Sequence, residues 1–213
     1  MNRYGRIALA AVVAAAGTVH AASAQLPGIP YGPINTGLGV NVAADYGKPT
    51  SGGGSAWGLT GGLGMSRFGV SASFGSQTAG GAGATSQTTF AGAAGLKLFG
   101  GGLSPVTIGA QVGVGRLSAP SPLSATTLVL PAAWVKVSPP LFPLKPYAQV
   151  YYVTGSCGSG CSVQKDTRVT IGANFNMLLG LGVHGAYDFG TASGAGKGWG
   201  VGAHFNFRMP MGM

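Results

Sequence analysis

Two histidines and two aspartates occupy polar positions in alternating stretches of the chain, and their side chains are the ones best suited to chemistry. His184 and Asp188 lie in one such stretch, His204 lies in the next, and Asp45 lies in the first. Imidazole and carboxylate together could carry a proton, bind a metal or act as a general base. The alternative, which we favour, is that water and neighbouring polar groups satisfy these residues. The sequence therefore predicts no catalytic residue, metal or cofactor, and marks the four as candidates for one polar wall.

Two cysteines lie close together in a glycine-rich stretch near the middle of the second half. Cys157 and Cys161 are separated by Gly158-Ser159-Gly160. An exported chain meets an oxidising compartment, where such a pair forms a disulfide across a flexible loop. A metal site would need further Cys or His ligands nearby, and this loop has none. We predict a structural Cys157–Cys161 disulfide.

The element that must position the histidines is best seen in residues 199–207. Trp199, Val201, Ala203, Phe205 and Phe207 alternate with glycine, histidine and asparagine. A period of two places the apolar and the polar set on opposite faces of a β-strand. If most strands share this pattern and the chain is exported, the apolar face contacts lipid and the polar face lines a barrel lumen.

Nine further stretches read as strands. Their ranges are 37–46, 56–65, 68–75, 89–98, 106–115, 124–137, 147–154, 169–176 and 181–189. Seven of them alternate cleanly. The stretches 124–137 and 147–154 carry apolar residues on both faces, and the first of them contains Pro131.

The connections between these stretches alternate in length. Those after the second and eighth strands have two or three residues, whereas those after every odd-numbered strand are long and rich in Gly, Ser and Pro. Long loops on one side and tight turns on the other are typical of an outer-membrane barrel. The pattern predicts an all-β fold: a closed, antiparallel, up-and-down transmembrane β-barrel of ten strands, with eight as the alternative.

Composition agrees with an exported, lipid-facing chain. The 213 residues include 41 glycines, only three acids and no Glu, and 12 basic residues give a formal charge of +9. The basic residues are scattered and lack interleaved aromatics, so nucleic acid is not an expected partner. Attraction to an anionic lipid or lipopolysaccharide surface is more plausible.

The N-terminus has the features of an export signal. Arg3 and Arg6 precede an apolar run, and Ala22-Ser23-Ala24 fits the small-residue rule for cleavage. We expect a signal peptide at 1–24, or alternatively an N-terminal membrane anchor. Residues 25–36 contain three prolines and are interpreted as an extended periplasmic lead-in. The barrel is expected over 37–207, followed by a short tail at 208–213.

These features together resemble the small bacterial outer-membrane β-barrel proteins over essentially all of the mature chain. The resemblance extends to the last strand, whose end Phe205-Asn206-Phe207 looks like the C-terminal signal read by the barrel assembly machinery. Family members usually end on the final aromatic residue, whereas this chain continues to Met213. The resemblance implies location in the outer membrane, contact with its lipid and lipopolysaccharide, and insertion by that machinery. It indicates no subfamily and no oligomeric state.

Glycine on the predicted lumen face is the main indication of function. The inward glycines are Gly39, Gly58, Gly62, Gly64, Gly69, Gly109, Gly113, Gly172, Gly182, Gly200 and Gly202. Small inward residues leave space in a barrel of this size for a narrow passage or a ligand cavity. Glycine could equally serve strand bending and closure.

Three functions follow from the sequence. The first is a small passive channel, the second is a structural or surface-interaction barrel with a plugged lumen, and the third is a lipid-modifying enzyme that uses the histidines. Barrel enzymes that trim lipid A use a His with a Ser and an acid, and no matching Ser motif accompanies either histidine here. We therefore expect that the protein is not an enzyme.

Overall fold

The predicted barrel is present and has ten strands. The structure is a computed structural model that describes residues 29, 31–81, 85–101, 104–118, 125–158 and 162–207. Each strand pairs antiparallel with its neighbours in sequence, and the first strand pairs with the last to close the sheet. The strands are β1 (Gly39–Pro49), β2 (Gly54–Met65), β3 (Phe68–Ala79), β4 (Ser86–Gly101), β5 (Ser104–Leu117), β6 (Thr126–Val137), β7 (Leu144–Ser156), β8 (Asp166–Asn176), β9 (Leu181–Gly190) and β10 (Lys197–Phe207).

The two ends of the barrel differ as the sequence predicts. We call one end the turn end: it carries the connections 66–67, 138–143 and 177–180, and β1 begins there and β10 ends there. At the opposite end, which we call the loop end, β1, β3, β5, β7 and β9 end and the strands that follow them begin. Within the described ranges, no helix is long and apolar enough to cross a membrane.

The outer face of the barrel is apolar and is bordered by aromatic side chains. Near the loop end these exposed aromatics are Tyr46, Trp57, Tyr152, Tyr187 and Trp199. Near the turn end they are Phe68, Phe99, Phe175, Phe205 and Phe207. Aromatic girdles at both interfaces of an outward apolar band are the pattern of a barrel that sits in lipid.

The strands β6 and β7 depart from the polar-inside pattern, as their two-sided sequences indicate. Leu128, Leu130 and Trp134 of β6 are buried on the inner face, together with Tyr151 and Val153 of β7. The ladder between the two strands also lacks the pairs opposite Leu130 and Pro131, because proline has no N–H to donate. One wall of the lumen is therefore apolar.

The stretch interpreted as a periplasmic lead-in has a different position. Tyr31, Ile34 and Thr36 have no regular secondary structure but are almost fully buried. Ile34 bonds to Gln111 and Tyr31 packs against Tyr151, and both partners are inward-facing side chains of the barrel. The prolines keep this stretch out of the sheet, as expected, but the apolar wall of β6 and β7 gives its apolar side chains a place inside. For residues 29 and 31–36 the periplasmic placement is corrected to the lumen.

The remaining predicted segments lie outside the described residues. These are the signal peptide at 1–24, the first residues of the lead-in at 25–28 and the tail at 208–213. Cleavage after Ala24 therefore stays a prediction.

Candidate functional site in the barrel lumen

The chain that leads into β1 runs through the lumen and is held there by a side chain of β5. We call its described part, residue 29 and residues 31–36, the lumen segment. The backbone N–H of Ile34 donates to Oε1 of Gln111 at 2.8 Å, and Nε2 of Gln111 donates to the carbonyl oxygen of Gly32 at 3.1 Å. One buried amide thus pairs with two backbone groups of the segment, which would otherwise be unsatisfied inside the barrel.

Tyr31 anchors the segment in the apolar wall. Its ring packs edge-on against Tyr151 with centroids 5.3 Å apart. The same buried cluster contains Leu117, Leu128, Leu130 and Val153. Edge-to-face packing of two aromatic rings adds to the stabilisation from burying their area. The apolar inner faces of β6 and β7 therefore form a socket for this side chain.

Inward glycines make room for the segment at its turn-end half. A Cβ at Gly95 would lie 2.2 Å from a side-chain carbon of Ile34, and a Cβ at Gly69 would lie 2.2 Å from the backbone oxygen of Asn35. Real side chains cannot approach so closely, so these positions need glycine for the segment to fit. At these two positions, the space left by the missing side chain is filled by the lumen segment and not by water.

Beside the segment lies a cavity of about 1230 Å³. Its lining comes from the middle and turn-end parts of the strands and from the segment itself, and it reaches the exposed residues Leu179 and Phe207 at the turn end. Ile29, which packs on Ala56 near the loop end, is also part of the lining. The cavity includes Asp45, His184 and His204.

Those three residues form one hydrogen-bonded chain, as their predicted positions indicated. Nε2 of His184 lies 2.5 Å from Oδ1 of Asp45, and the Nδ1 atoms of His184 and His204 lie 3.1 Å apart. Nε2 of His204 lies 3.0 Å from Oδ1 of Asn176. One of the two Nδ1 atoms must donate and the other accept, so the chain could pass a proton between the rings.

Glycines in the neighbouring strands allow this row of hydrogen-bonded side chains to extend from one strand to the next along the inner wall. Gly202 stands between His184 and Asp45 in the register of β9, β10 and β1. Gly182 stands in the same way between His204 and Asn176. A Cβ at Gly202 would lie 2.5 Å from Nε2 of His184, and a Cβ at Gly182 would lie 2.3 Å from Nε2 of His204. Each imidazole therefore lies over a glycine and reaches the strand beyond it.

Asp188, the fourth predicted residue, takes no part in the hydrogen bonds that link the two histidines to Asp45. It lies four residues beyond His184 on β9, which is ~13 Å toward the loop end at ~3.3 Å per residue. It is fully buried and accepts hydrogen bonds from the hydroxyls of Tyr151 and Thr170, both at 2.7 Å. Asp188 therefore faces the lumen from the same wall as the histidines, but it bonds to a different set of residues.

The partner of Asp188 is Arg168, which the sequence analysis missed. Nε of Arg168 donates to Oδ1 of Asp188 at 2.8 Å, and Nη2 donates both to the same carboxylate and to the carbonyl oxygen of Gly196. Asp166 lies 3.4 Å from the guanidinium on its other side. Arg168 is in phase with the inward Thr170, so extending the predicted strand toward its N-terminus would have placed it in the lumen.

Only one cysteine of the predicted disulfide lies among the described residues. Cys157 lies at the loop end, and Cys161 lies outside the described residues, so the Cys157–Cys161 bridge stays a prediction. Among the residues that the structure describes, no group of three or more His, Cys, Asp or Glu side chains could hold a metal ion.

Comparison with known proteins gives matches to solved structures at low sequence identity. No family model and no curated protein matches this chain. Solved structures that match include the β domain of the Bordetella autotransporter BrkA, at 12% identity over 80% of this chain and 99% of that chain, with a TM-score of 0.49. The translocator domain of the autotransporter NalP from Neisseria meningitidis matches at 13% identity over 80% and 89%, with a TM-score of 0.47.

A third match is a loop-deletion variant of OmpT, an outer-membrane protein of Vibrio cholerae. It is 17% identical over 82% of this chain and 61% of that chain, with a TM-score of 0.39. These three structures are parts or variants of bacterial outer-membrane proteins. The closed ten-strand sheet with its apolar outer band has the architecture of that class.

Proposed function

We propose that the protein is an integral outer-membrane barrel whose lumen is closed to passive flow by its own lumen segment. The observation that carries this proposal is the burial of Tyr31 and Ile34 among inward side chains of the barrel. The segment is continuous with β1, so it needs no separate binding partner to stay in place. Of the functions considered from the sequence, this is the structural barrel with a plugged lumen.

The exterior suggests where such a barrel acts. The apolar band and its aromatic girdles suit outer-membrane lipid, and the basic surface suits lipopolysaccharide. The last strand, with its Phe205-Asn206-Phe207 end, is the part that we propose for recognition by the barrel assembly machinery.

A small channel is the second candidate, and the cavity beside the segment favours it. That cavity is polar in the middle of the barrel and extends to the turn end. If the segment moves aside, the cavity becomes part of a passage through the barrel. The inward glycines would then serve permeation as well as the fit of the segment.

Conductance in a planar bilayer separates the two candidates. We would compare the mature protein with a variant that lacks residues 25–36 and with a control that lacks only residues 25–28. All three must first show heat-modifiable migration on a denaturing gel, which reports a closed barrel. The proposal expects resolved conductance steps only from the longer deletion. Equal conductance by all three proteins would contradict the plug and support the passive channel.

A further inference from the structure

Asparagine is concentrated in the cavity beside the lumen segment. The sequence has six asparagines. Asn2 lies in the predicted signal peptide, and the other five all line the cavity: Asn35, Asn41, Asn174, Asn176 and Asn206. Four of these five are in strands, although asparagine is a residue type that strands usually contain least. Residue type and position therefore coincide at this cavity, which favours a role for the amides.

Three strands and the lumen segment present these amides to the cavity. Asn41 of β1 and Asn206 of β10 are directly paired in the register of the sheet. Asn174 and Asn176 lie two residues apart on the same face of β8. Asn35 belongs to the segment itself. All five are half-buried, so each side chain lies inside the barrel and still has surface that a bound molecule could contact.

The amides have hydrogen-bonding groups to spare. An asparagine side chain offers two donor hydrogens on Nδ2 and acceptor lone pairs on Oδ1. Nδ2 of Asn41 donates to Oδ1 of Asn206 at 2.9 Å, which leaves Oδ1 of Asn41 and Nδ2 of Asn206. Oδ1 of Asn176 is bonded to His204, which leaves its Nδ2. Among the described residues, none forms a hydrogen bond with the side chain of Asn174, so both of its polar atoms remain.

Donors and acceptors side by side match hydroxyl groups. A hydroxyl group donates one hydrogen bond and accepts others, whereas an ionised carboxylate only accepts and an ammonium group only donates. Charged side chains of both signs also line the cavity, so the property that its three asparagine-bearing strands share is hydrogen bonding by uncharged groups. A neutral molecule with several hydroxyl groups could use the donor of one amide and the acceptor of the next.

We propose that the cavity binds a small neutral sugar, of the size of a mono- or disaccharide, through the asparagine amides of β1, β8 and β10. The volume of about 1230 Å³ exceeds the ~300–1,000 Å³ of ordinary small-molecule pockets, so bridging water can share the site. The cavity reaches the turn end, where the sugar would enter. The inference goes beyond the closed barrel of the proposed function, because a cavity that stops in the lumen can bind a sugar without conducting it.

Saturation-transfer NMR on the mature protein, in a detergent without a sugar headgroup, tests the inference. The probes are glucose, galactose, N-acetylglucosamine and maltose, each titrated separately to obtain a dissociation constant. At least one of them is expected to bind saturably. The variant Asn174→Ala/Asn206→Ala removes two of the amides and should raise the dissociation constant of that sugar at least about tenfold.

Gln77→Ala/Gln87→Ala is the matched control. Nε2 of Gln77 donates to Oε1 of Gln87 at 3.0 Å near the loop end, so the control also removes two amides, but outside the cavity lining. It should bind the sugar as wild type does. If the double asparagine variant does not migrate as a closed barrel, Asn174→Ala alone replaces it, and this variant should raise the dissociation constant about threefold or more.

Three outcomes would overturn the inference. One is the absence of saturable binding of all four sugars by wild type. Another is equal binding by wild type and the asparagine variant when both migrate as closed barrels. The third is an equal loss of binding in the glutamine control, which would place the bound sugar outside the cavity. Conductance is not measured here, so each of these results leaves the plugged lumen to be judged by its own experiment.

Discussion

Each lumen histidine lies over a glycine of the adjacent strand, and this arrangement decides which substitutions the wall tolerates. Gly202 separates His184 from Asp45, and an added methyl group would meet both side chains and the backbone oxygen of Ala44. The backbone oxygen of Ala44 belongs to the sheet and cannot move aside as a side chain can. The glycines of this wall are therefore part of the site, although they carry no functional group.

The substitution Gly202→Ala should lower the free energy of unfolding by about 1–3 kcal/mol, since the added methyl group would lie 2.6 Å from the backbone oxygen of Ala44 and would force the strands to shift. Gly61→Ala is the matched control: it lies in β2 with open space around it and should change stability by less than ~0.5 kcal/mol. Urea unfolding in lipid vesicles, followed by tryptophan fluorescence, measures both. Equal stability of the two variants would show that the histidine chain is looser than described.

The buried ion pair of Arg168 and Asp188 gives a second prediction about individual residues. Arg168→Met leaves a buried carboxylate without its cation, which should cost about 3–5 kcal/mol. Adding Asp188→Asn removes that charge, so the double variant should be less destabilised than the sum of the single variants. Arg116→Met, at an exposed outward position, is the control. Strict additivity of the two single effects would contradict the pairing.

At the scale of elements, period-two alternation predicted eight of the ten strands, because each of these strands separates lipid from lumen residue by residue. The two-sided stretches 124–137 and 147–154 completed the count, and the alternating lengths of the connections indicated the barrel. The predicted ranges fall within or close to the observed strands, which mostly extend farther toward the loop end. The meeting of His184, His204 and Asp45 was also predictable, since β9, β10 and β1 are neighbours. Alternation alone could not separate Asp188 from the histidines, because it predicts the face of a strand on which a residue lies and not the distance between residues along the strand.

The lumen segment could not be predicted from alternation, because it is not a strand. The signal was indirect: 124–137 and 147–154 were apolar on both faces, although only one face of a barrel strand meets lipid. The inner apolar face needed a partner, and the proline-containing stretch before β1 supplies Tyr31. Two-sided strands in a barrel of this size indicate an apolar object inside it.

Tyr31→Ala should lower the free energy of unfolding by about 3 kcal/mol, because it empties a socket built around a large side chain. Phe142→Ala, at an exposed position in the turn 138–143, should change stability by less than ~0.5 kcal/mol. The same vesicle unfolding assay compares them. If Tyr31→Ala were as mild as the control, the segment would contribute nothing to the fold.

At the scale of the whole molecule, the lumen segment occupies one part of the lumen and the cavity occupies another. The segment contacts β2–β7, where Gln111 and the apolar socket hold it. The cavity fills the remaining part near the turn end and carries the histidine chain and the asparagines. Closure of the barrel and occupation of its lumen are therefore separate properties. The position of the segment inside the lumen needs a direct test.

Photo-cross-linking from position 31 is that test. A benzoylphenylalanine residue replaces Tyr31 in the protein purified as a closed barrel, and the cross-linked peptides are identified by mass spectrometry after irradiation. If Tyr31 lies in the apolar socket, cross-links should form to inner-face positions of β6 and β7 around Leu128, Leu130 and Tyr151. Cross-links confined to solvent or detergent, with none to these strands, would place the segment outside the barrel and contradict the plugged lumen.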